Sequence, residues 1–322
     1  MARPVPLDGH SIQITSSMGI SIYPTDGNEI QTLLKLADTA LYQAKEKGRN
    51  QFHFYTTALY EDYQQSHGLG RELQRAYDKN EFFLMYQPLY HCRTGQIVGV
   101  ESLLRWNHPE KGIIPAGDFI HTLEKSPLML PISEWVIKTA CQQAKDWYDK
   151  KILTNSIAIN VSAVQFIRHS LSELIANSLA EIQLDPSCIE LEITETSFIE
   201  YTDNLNKEIT ALKNMNIKLV IDDFGTGYSS LSYLKHLPVH KIKIDKVFIQ
   251  HCDDNYLDQT IISAVTNIAH KLNIKVTAEG VENDAQLKFL QDQRIDEIQG
   301  FYYSSPMTAE ECEVELRNSS IT

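Results

Sequence analysis

The chain has 322 residues, 43% hydrophobic and 22% charged, a globular composition that excludes disordered and fibrous classes. That length holds two domains, or one large barrel with an appendage, and a core of that size needs no disulfides. The formal net charge of −13 and the pI near 5.3 argue against a binder of nucleic-acid polymers, which would be basic.

The five cysteines, Cys92, Cys141, Cys188, Cys252 and Cys312, are odd in number, scattered and never in a CxxC pair. This speaks against a disulfide framework and against structural zinc, and for a reducing cytoplasm. No apolar run approaches the roughly 20 residues of a membrane span, and the N-terminus, MARPVPLDGH, lacks the apolar stretch of a signal peptide. Any membrane anchor is expected to lie outside this chain.

In chain order, residues 11–23 alternate and are β-branched, which predicts a strand, and Pro24-Thr25-Asp26-Gly27 predicts a turn. Residues 29–46 carry Leu33, Leu34, Leu36, Ala37, Ala40, Leu41 and Ala44 at helical spacing, with Gly48 at the expected C-cap. Residues 51–55 read as a short strand. This β-α-β piece is too small to bury a core alone and looks like a fragment of something larger. Residues 57–80 read as a polar helical connector with a weak point at Gly68 and Gly70.

From residue 82 the pattern changes. FFLMYQPLY and GQIVGVESLLRW read as two strands joined through HCRTG as a hairpin. Short strand candidates then alternate with amphipathic helical stretches, beginning at residues 156, 188, 217, 240, 274 and 295. Repeated strand-then-helix order implies parallel strands with crossovers. Two hairpin strands plus six more predict an α/β fold, a (β/α)8 TIM-like barrel whose first strand is antiparallel.

Each predicted barrel strand after the first ends in a chemically capable side chain: Glu101, Asn160, Glu192, Asp222, Lys243, Glu279 and Gln299. In such barrels the C-terminal strand ends face the active site. Singly, Asp or Asn there caps the next helix and a lone Glu is solvated. Seven together point to one shared mouth. Two unit charges 4 Å apart repel by about 4 kcal/mol at an effective dielectric near 20, so four carboxylates require protons or cations among them. Oxygen ligands without Cys or His favour Mg²⁺ or Mn²⁺ over zinc, and a two-metal site suits in-line displacement at phosphorus. Lys243 could orient a water or steady charge on phosphoryl oxygens, or simply balance charge in a salt bridge. Asp222-Asp223-Phe224-Gly225-Thr226-Gly227-Tyr228-Ser229-Ser230 lacks the GK[ST] ending of a P-loop. Either it is an ordinary strand-to-helix turn or its doubled Asp makes it a metal loop.

These residues resemble the EAL-domain family of cyclic-di-GMP phosphodiesterases. The name-giving motif stands here as Glu101-Ser102-Leu103, followed in family order by LEITET, DDFGTGYSSL, KIKIDKVFI, AEGVEN and QGFYYSSP. The resemblance covers about residues 68–316. It implies hydrolysis of cyclic di-GMP to linear pGpG, with Mg²⁺ or Mn²⁺ in a two-metal site and Ca²⁺ binding without supporting activity. It implies Glu101, Asn160, Glu192 and Asp222 as ligands of a first metal, and Asp223 and Asp245 as contributors to a second, with Asp222 bridging. Lys243 is similar to the lysine that activates water, Glu279 to the metal-associated glutamate sometimes assigned as general base, and Gln299 to a residue that orients water or substrate. Glu195 resembles the glutamate that anchors the DDFGTG loop, while Gln87, Leu103 and Arg105 resemble substrate contacts. Ser102, His240, Lys246 and Pro127 stand where the family usually has Ala, Asp, Arg and Gly; none of these removes a ligand.

Residues 17–55 are similar to the last part of a GGDEF diguanylate cyclase domain without its signature loop, so no cyclase activity is expected. The fragment reads as a cut from a longer tandem protein or as a degenerate relic. The expected organisation is a GGDEF-like fragment over 1–56, a helical linker over 57–67, an EAL domain over 68–316 and a tail over 317–322. The resemblance further implies a homodimer through the EAL domain, involving Tyr228 to Leu237. The competing readings are a receptor that binds cyclic di-GMP without cutting it, and an unrelated metal-dependent barrel enzyme.

Overall fold

A computed structural model of the chain describes residues 5–7, 10–12, 15–152, 155–162, 165–166, 170–195, 203–226 and 237–319. It separates into two compact units, Met1–Arg75 and Ala76–Thr322.

In the first unit, β1 (Val5–Leu7) and β2 (His10–Ile12) form an antiparallel ribbon. β3 (Met18–Ile20) pairs in parallel with β4 (Phe52–Phe54), and α1 (Ile30–Glu46) makes the crossover. The helix forms where the apolar spacing predicted it, burying Leu36, Ala40 and Ala44. The single strand expected over 11–23 is instead parts of β2 and β3; residues 13–14 lie outside the described residues, and Thr15, Ser16 and Ser17 offer no apolar face to pair. The turn falls at Tyr23–Asp26, where Asp26 Oδ2 accepts the Ile22 N–H at 2.6 Å.

α2 (Thr57–Asp78) is continuous through Gly68 and Gly70. The expected weak point is therefore not a break. Two helical glycines cost about 1 kcal/mol each, which a 22-residue helix with buried Leu73 and Ala76 tolerates.

The second unit is built on β5 (Phe82–His91), β6 (Ile97–His108), β7 (Gly112–Pro115), β8 (Ser156–Val161), β9 (Ile189–Thr194), β10 (Lys218–Phe224), β11 (Val239–Ile244), β12 (Lys275–Glu279) and β13 (Glu297–Gln299). The strand order is β5-β13-β12-β11-β10-β9-β8-β6, and β5 also pairs with β6, which closes an eight-stranded barrel. β6 and β8 through β13 are parallel, whereas β5 is antiparallel to both its neighbours, as the hairpin predicted. β7, which the sequence did not suggest, lies antiparallel on the outer part of β6. Around the barrel run α3 (Ile120–Glu124), α4 (Met129–Asp149), α5 (Leu171–Ile182), α6 (Asp203–Asn214), α7 (Lys246–Ile249), α8 (Tyr256–Lys271), α9 (Asp284–Asp292) and α10 (Ala309–Ser319).

The strands alternate strictly. Ile157, Ile159, Ile189, Leu191, Ile193, Ile242, Ile244 and Val276 are buried on the helix side. The lumen side carries Ser156, Asn160, Glu190, Glu192, Lys241, Lys243, Glu297 and Gln299. The oily core thus sits between barrel and helices, and the polar side chains fill the barrel itself.

Candidate active site

Glu101 is not at a strand end. β6 continues past it to His108, because the antiparallel β5 pairs Phe82–Met85 with Leu103–Trp106. The extension is held by Phe82, Trp106 and Phe119, whose rings meet with centroids 5.7–6.1 Å apart. Glu192 and Asp222 are each followed by two further strand residues. Asn160 and Lys243 are penultimate in their strands, and Glu279 and Gln299 close theirs. What unites the seven is the lumen side at one height of the barrel rather than the final position.

Lys243 is the centre. Its side chain is 0% exposed, and its Nζ lies 2.6 Å from Glu279 Oε1, 2.9 Å from Glu192 Oε2, 3.1 Å from Glu101 Oε2 and 3.5 Å from Asp222 Oδ1. Four carboxylates from four strands therefore surround one ammonium. Asn160 Nδ2 donates to Glu101 Oε1 at 2.7 Å, and Gln299 Nε2 donates to Glu101 Oε2 at 2.8 Å. Both Glu101 oxygens are thereby engaged. Gln299 Nε2 also reaches Gln87 Oε1 at 3.2 Å, and Gln87 in turn donates to the Ser304 carbonyl at 2.9 Å.

The loop after β10 completes the mouth. Asp223 adopts φ +53°, and its N–H is donated to Asp222 Oδ1 at 3.0 Å. Gly225 has φ +99°, a conformation open to glycine, and its N–H is donated to Glu195 Oε2 at 2.9 Å. Asp245 caps α7 by accepting the Val247 N–H at 2.7 Å and also hydrogen-bonds Asp223. Leu103 and Arg105 are half-buried on the extension of β6, with Arg105 Nη1 donating to the Leu104 carbonyl at 2.9 Å. Residues 227–236, which include most of the expected dimer segment Tyr228 to Leu237, lie outside the described residues.

The electrostatics follow from this crowding. Burial pushes the Glu101 carboxyl up, but Lys243 and the Gln299 and Asn160 amides outweigh it and hold it below the usual range. Burial and the Glu101 charge push Glu192 well up. Burial also raises Asp222. Asp223 is pushed to about 7 by burial and by Asp222 and Asp245, and Glu279 to about 8 chiefly by burial. Burial alone would lower the Lys243 ammonium; the four carboxylates override it and hold the lysine charged. One cation does not balance four carboxylates, which is why burial and mutual repulsion push Glu192, Asp222 and Glu279 toward their protonated forms.

Divalent cations fit this donor set. Oxygens of Asp222, Asp223 and Glu279 lie within 4.8 Å of one another. Among the described residues, Glu192 Oε1 and Gln299 Oε1 are buried without a hydrogen-bond partner, a cost that a cation or a bound polar group would relieve. The donors are all oxygen, the preference of Mg²⁺ and Mn²⁺.

A model of the EAL domain family matches residues 70–306. The chain belongs to the EAL domain family. A model described as the diguanylate cyclase, GGDEF domain matches residues 1–51. The bifunctional diguanylate cyclase/cyclic di-GMP phosphodiesterase MucR of Pseudomonas aeruginosa is 38% identical over 311 residues, 97% of this chain and 45% of that protein. The cyclic di-GMP phosphodiesterase PdeR of Escherichia coli is 35% identical over 298 residues, 92% of this chain and 45% of that protein. The chain thus spans less than half the length of these relatives. A solved PaMucR phosphodiesterase in complex with c-di-GMP aligns with TM-score 0.73 and 40% identity, over 76% of this chain and 99% of that one.

Sequence reasoning missed Ser304, which fixes Gln87 through its carbonyl and so left no side-chain signal. It also missed Lys241, Glu190 and Glu297, one lumen position deeper than Lys243, Glu192 and Gln299. Their signal was present: charged or amide residues two apart around an apolar one, as in IELEI, HKIKI and DEIQ.

Proposed function

We propose that this EAL domain hydrolyses cyclic di-GMP to linear pGpG, lowering the second messenger in bacterial signalling. The observation that carries the reading is Lys243, wholly buried and ringed by Glu101, Glu192, Asp222 and Glu279 in the barrel mouth. EAL phosphodiesterases are metal-dependent in general. We assign Glu101, Asn160, Glu192 and Asp222 to one Mg²⁺ or Mn²⁺, and Asp222, Asp223, Glu279 and Asp245 to a second. The ions supply charge neutralisation on the phosphodiester and acidify water.

The protein's own groups then have defined tasks. Lys243 holds a positive charge at the reacting centre and donates to the attacking water. Glu279, 2.6 Å from Lys243 Nζ, stands at the reacting centre to accept a proton once ion binding has displaced its own. Gln299, fixed by Glu101 and Gln87, orients water through an amide whose Oε1 is otherwise unpaired. Glu195 sets the turn that aims Asp222 and Asp223. Gln87, Leu103 and Arg105 line the substrate side. Residues 68–316 form the catalytic domain, with a GGDEF-like fragment over 1–56, a linker over 57–67 and a tail over 317–322. The domain works in the cytoplasm as a homodimer; among the described residues no helix is long and apolar enough to cross a membrane.

Incubation of the purified chain with cyclic di-GMP in Mg²⁺, Mn²⁺, Ca²⁺ or chelator, resolved by chromatography, tests this. Conversion to pGpG with Mg²⁺ or Mn²⁺, and none with Ca²⁺ or chelator, is expected. Nucleotide bound but intact would make the chain a receptor instead. No binding at all would return it to the wider class of metal-dependent barrels.

A further inference from the structure

The barrel lumen holds a second charged layer beneath the mouth. Lys241 is buried, with Nζ 2.8 Å from Glu190 Oε2 and 2.6 Å from Glu297 Oε2. Glu190 Oε1 accepts from Ser156 Oγ at 2.5 Å and lies 3.6 Å from Lys218 Nζ. Glu297 Oε1 takes Lys275 Nζ at 3.0 Å, and its Oε2 accepts from Thr277 Oγ1 at 3.3 Å. Every carboxylate oxygen in this layer is partnered, unlike those of the mouth above.

A gain in stability over an apolar filling does not account for such a layer. Barrels of this class commonly fill the same space with branched apolar side chains. Replacing a buried ion network by apolar groups of similar volume is often neutral or stabilising. The topology supplies another reason. Lys241 is on β11, Glu190 on β9 and Glu297 on β13, and none of these strands adjoins another of the three; β10 and β12 intervene. Backbone ladders tie neighbours only, so this cluster fastens three separated strands across the lumen. Residues two apart on a strand point the same way, about 6.6 Å apart along it. Two residues beyond the three clamped positions stand Glu192, Lys243 and Gln299. Above the clamp, four carboxylates crowd one lysine and repel one another.

We propose that Lys241, Glu190 and Glu297 form a positioning device that sets the height and tilt of Glu192, Lys243 and Gln299 in the mouth. The inference rests on the phosphodiesterase reading for its consequence in turnover. These residues touch neither substrate nor metal; they act through the strands that carry the reacting groups.

The deciding variant is the full chain carrying Lys241→Met, Glu190→Gln and Glu297→Gln together, which removes the buried charges and leaves only the solvent-reaching Lys218 and Lys275 without their carboxylates. It is expected to fold, as judged by circular dichroism and a cooperative melt. Its kcat for cyclic di-GMP should fall about 10- to 100-fold, the range for groups that orient metal-site residues, while KM stays within about threefold. A merely structural layer would not split kcat from KM. A folded triple variant with wild-type kcat overturns the proposal. If the triple variant does not fold, Glu297→Gln alone, which keeps the Lys241–Glu190 pair, decides it: lowered kcat at unchanged KM supports the clamp, and wild-type kcat overturns it. If the wild-type chain forms no pGpG, the phosphodiesterase reading has failed. Mn²⁺ affinity by calorimetry then decides the clamp separately, with about tenfold weaker binding in the variant expected and unchanged binding overturning it.

Discussion

At the scale of single residues, the site turns on the stoichiometry of charge around Lys243. Among the described residues its ammonium is the one cation at ion-pair distance from Glu101, Glu192, Asp222 and Glu279, and the lysine stays charged because of them. Lys243→Met strands four carboxylates. Removing one partner from a buried ion network costs about 3–5 kcal/mol, so in chelator the variant should melt well below wild type. A divalent ion replaces part of the lost charge. Mn²⁺ should therefore raise the variant's Tm by more than it raises that of wild type, while pGpG formation falls at least about 100-fold for want of the donor. Scanning calorimetry with and without Mn²⁺ reads the first effect. Equal Mn²⁺ shifts in the two proteins would mean that lysine and ion do not share these carboxylates. Gly300 imposes a separate demand beside Gln299: a Cβ there would sit inside the Val281 backbone, whose N–H is donated to the Gln299 carbonyl at 3.1 Å. Gly300→Ala is expected to lower both Tm and kcat, because the backbone that must give way carries Gln299.

At the scale of elements, the loop leaving β10 is aimed by its neighbour. Glu195, just after β9, accepts the Gly225 N–H, and Phe248 of α7 packs where a Cβ on Gly225 would go. Glu195→Ala leaves that N–H unpaired, at about 1–3 kcal/mol, and frees the turn that presents Asp222 and Asp223. A modest drop in Tm is expected, with a several-fold rise in the Mn²⁺ concentration giving half-maximal turnover; unchanged metal dependence would leave Glu195 a purely local tie. The elements also show what the sequence could and could not convey. β9, β11 and β13 were legible because apolar helix-facing residues alternate with polar lumen ones. Their inner ends were not pursued as a group, since Lys241 and Glu297 occupy positions usually apolar in such barrels. The strand read over GQIVGVESLLRW already carried β6 past Glu101 to Trp106, whereas β7 was missed because four residues, GIIP, are too short to show an alternation and end in proline. Gly68 and Gly70 misled in the other direction: local propensity suggested a break that a long helix overrides.

At the scale of the barrel unit, two stacked charged layers respond oppositely to pH. In the lower layer, burial would raise Glu190, but Lys241, Ser156 and Lys218 pull it down to about 2, below its ordinary 4.5. Between those values the unfolded carboxylate binds the proton and the folded one does not. This stability is therefore fully present above about 4.5 and is lost as pH falls toward 2, on the order of 3 kcal/mol. In the mouth the sign reverses. Glu279 at about 8 and Asp223 at about 7 keep protons that an unfolded chain releases, so stability falls as pH rises from about 4.5 through 8. The metal-free protein should accordingly be most stable near pH 5, with an acid arm set by the clamp together with Glu101 and an alkaline arm set by Glu279 and Asp223. Metal ligation replaces those protons, so Mn²⁺ should flatten the alkaline arm and leave the acid arm unchanged, with protons released on binding near pH 7. Urea midpoints across pH 3–9 in chelator and in Mn²⁺ measure both arms. A chelated protein equally stable at pH 5 and pH 8 would mean that the mouth carboxylates do not hold protons, and that Lys243 alone balances them.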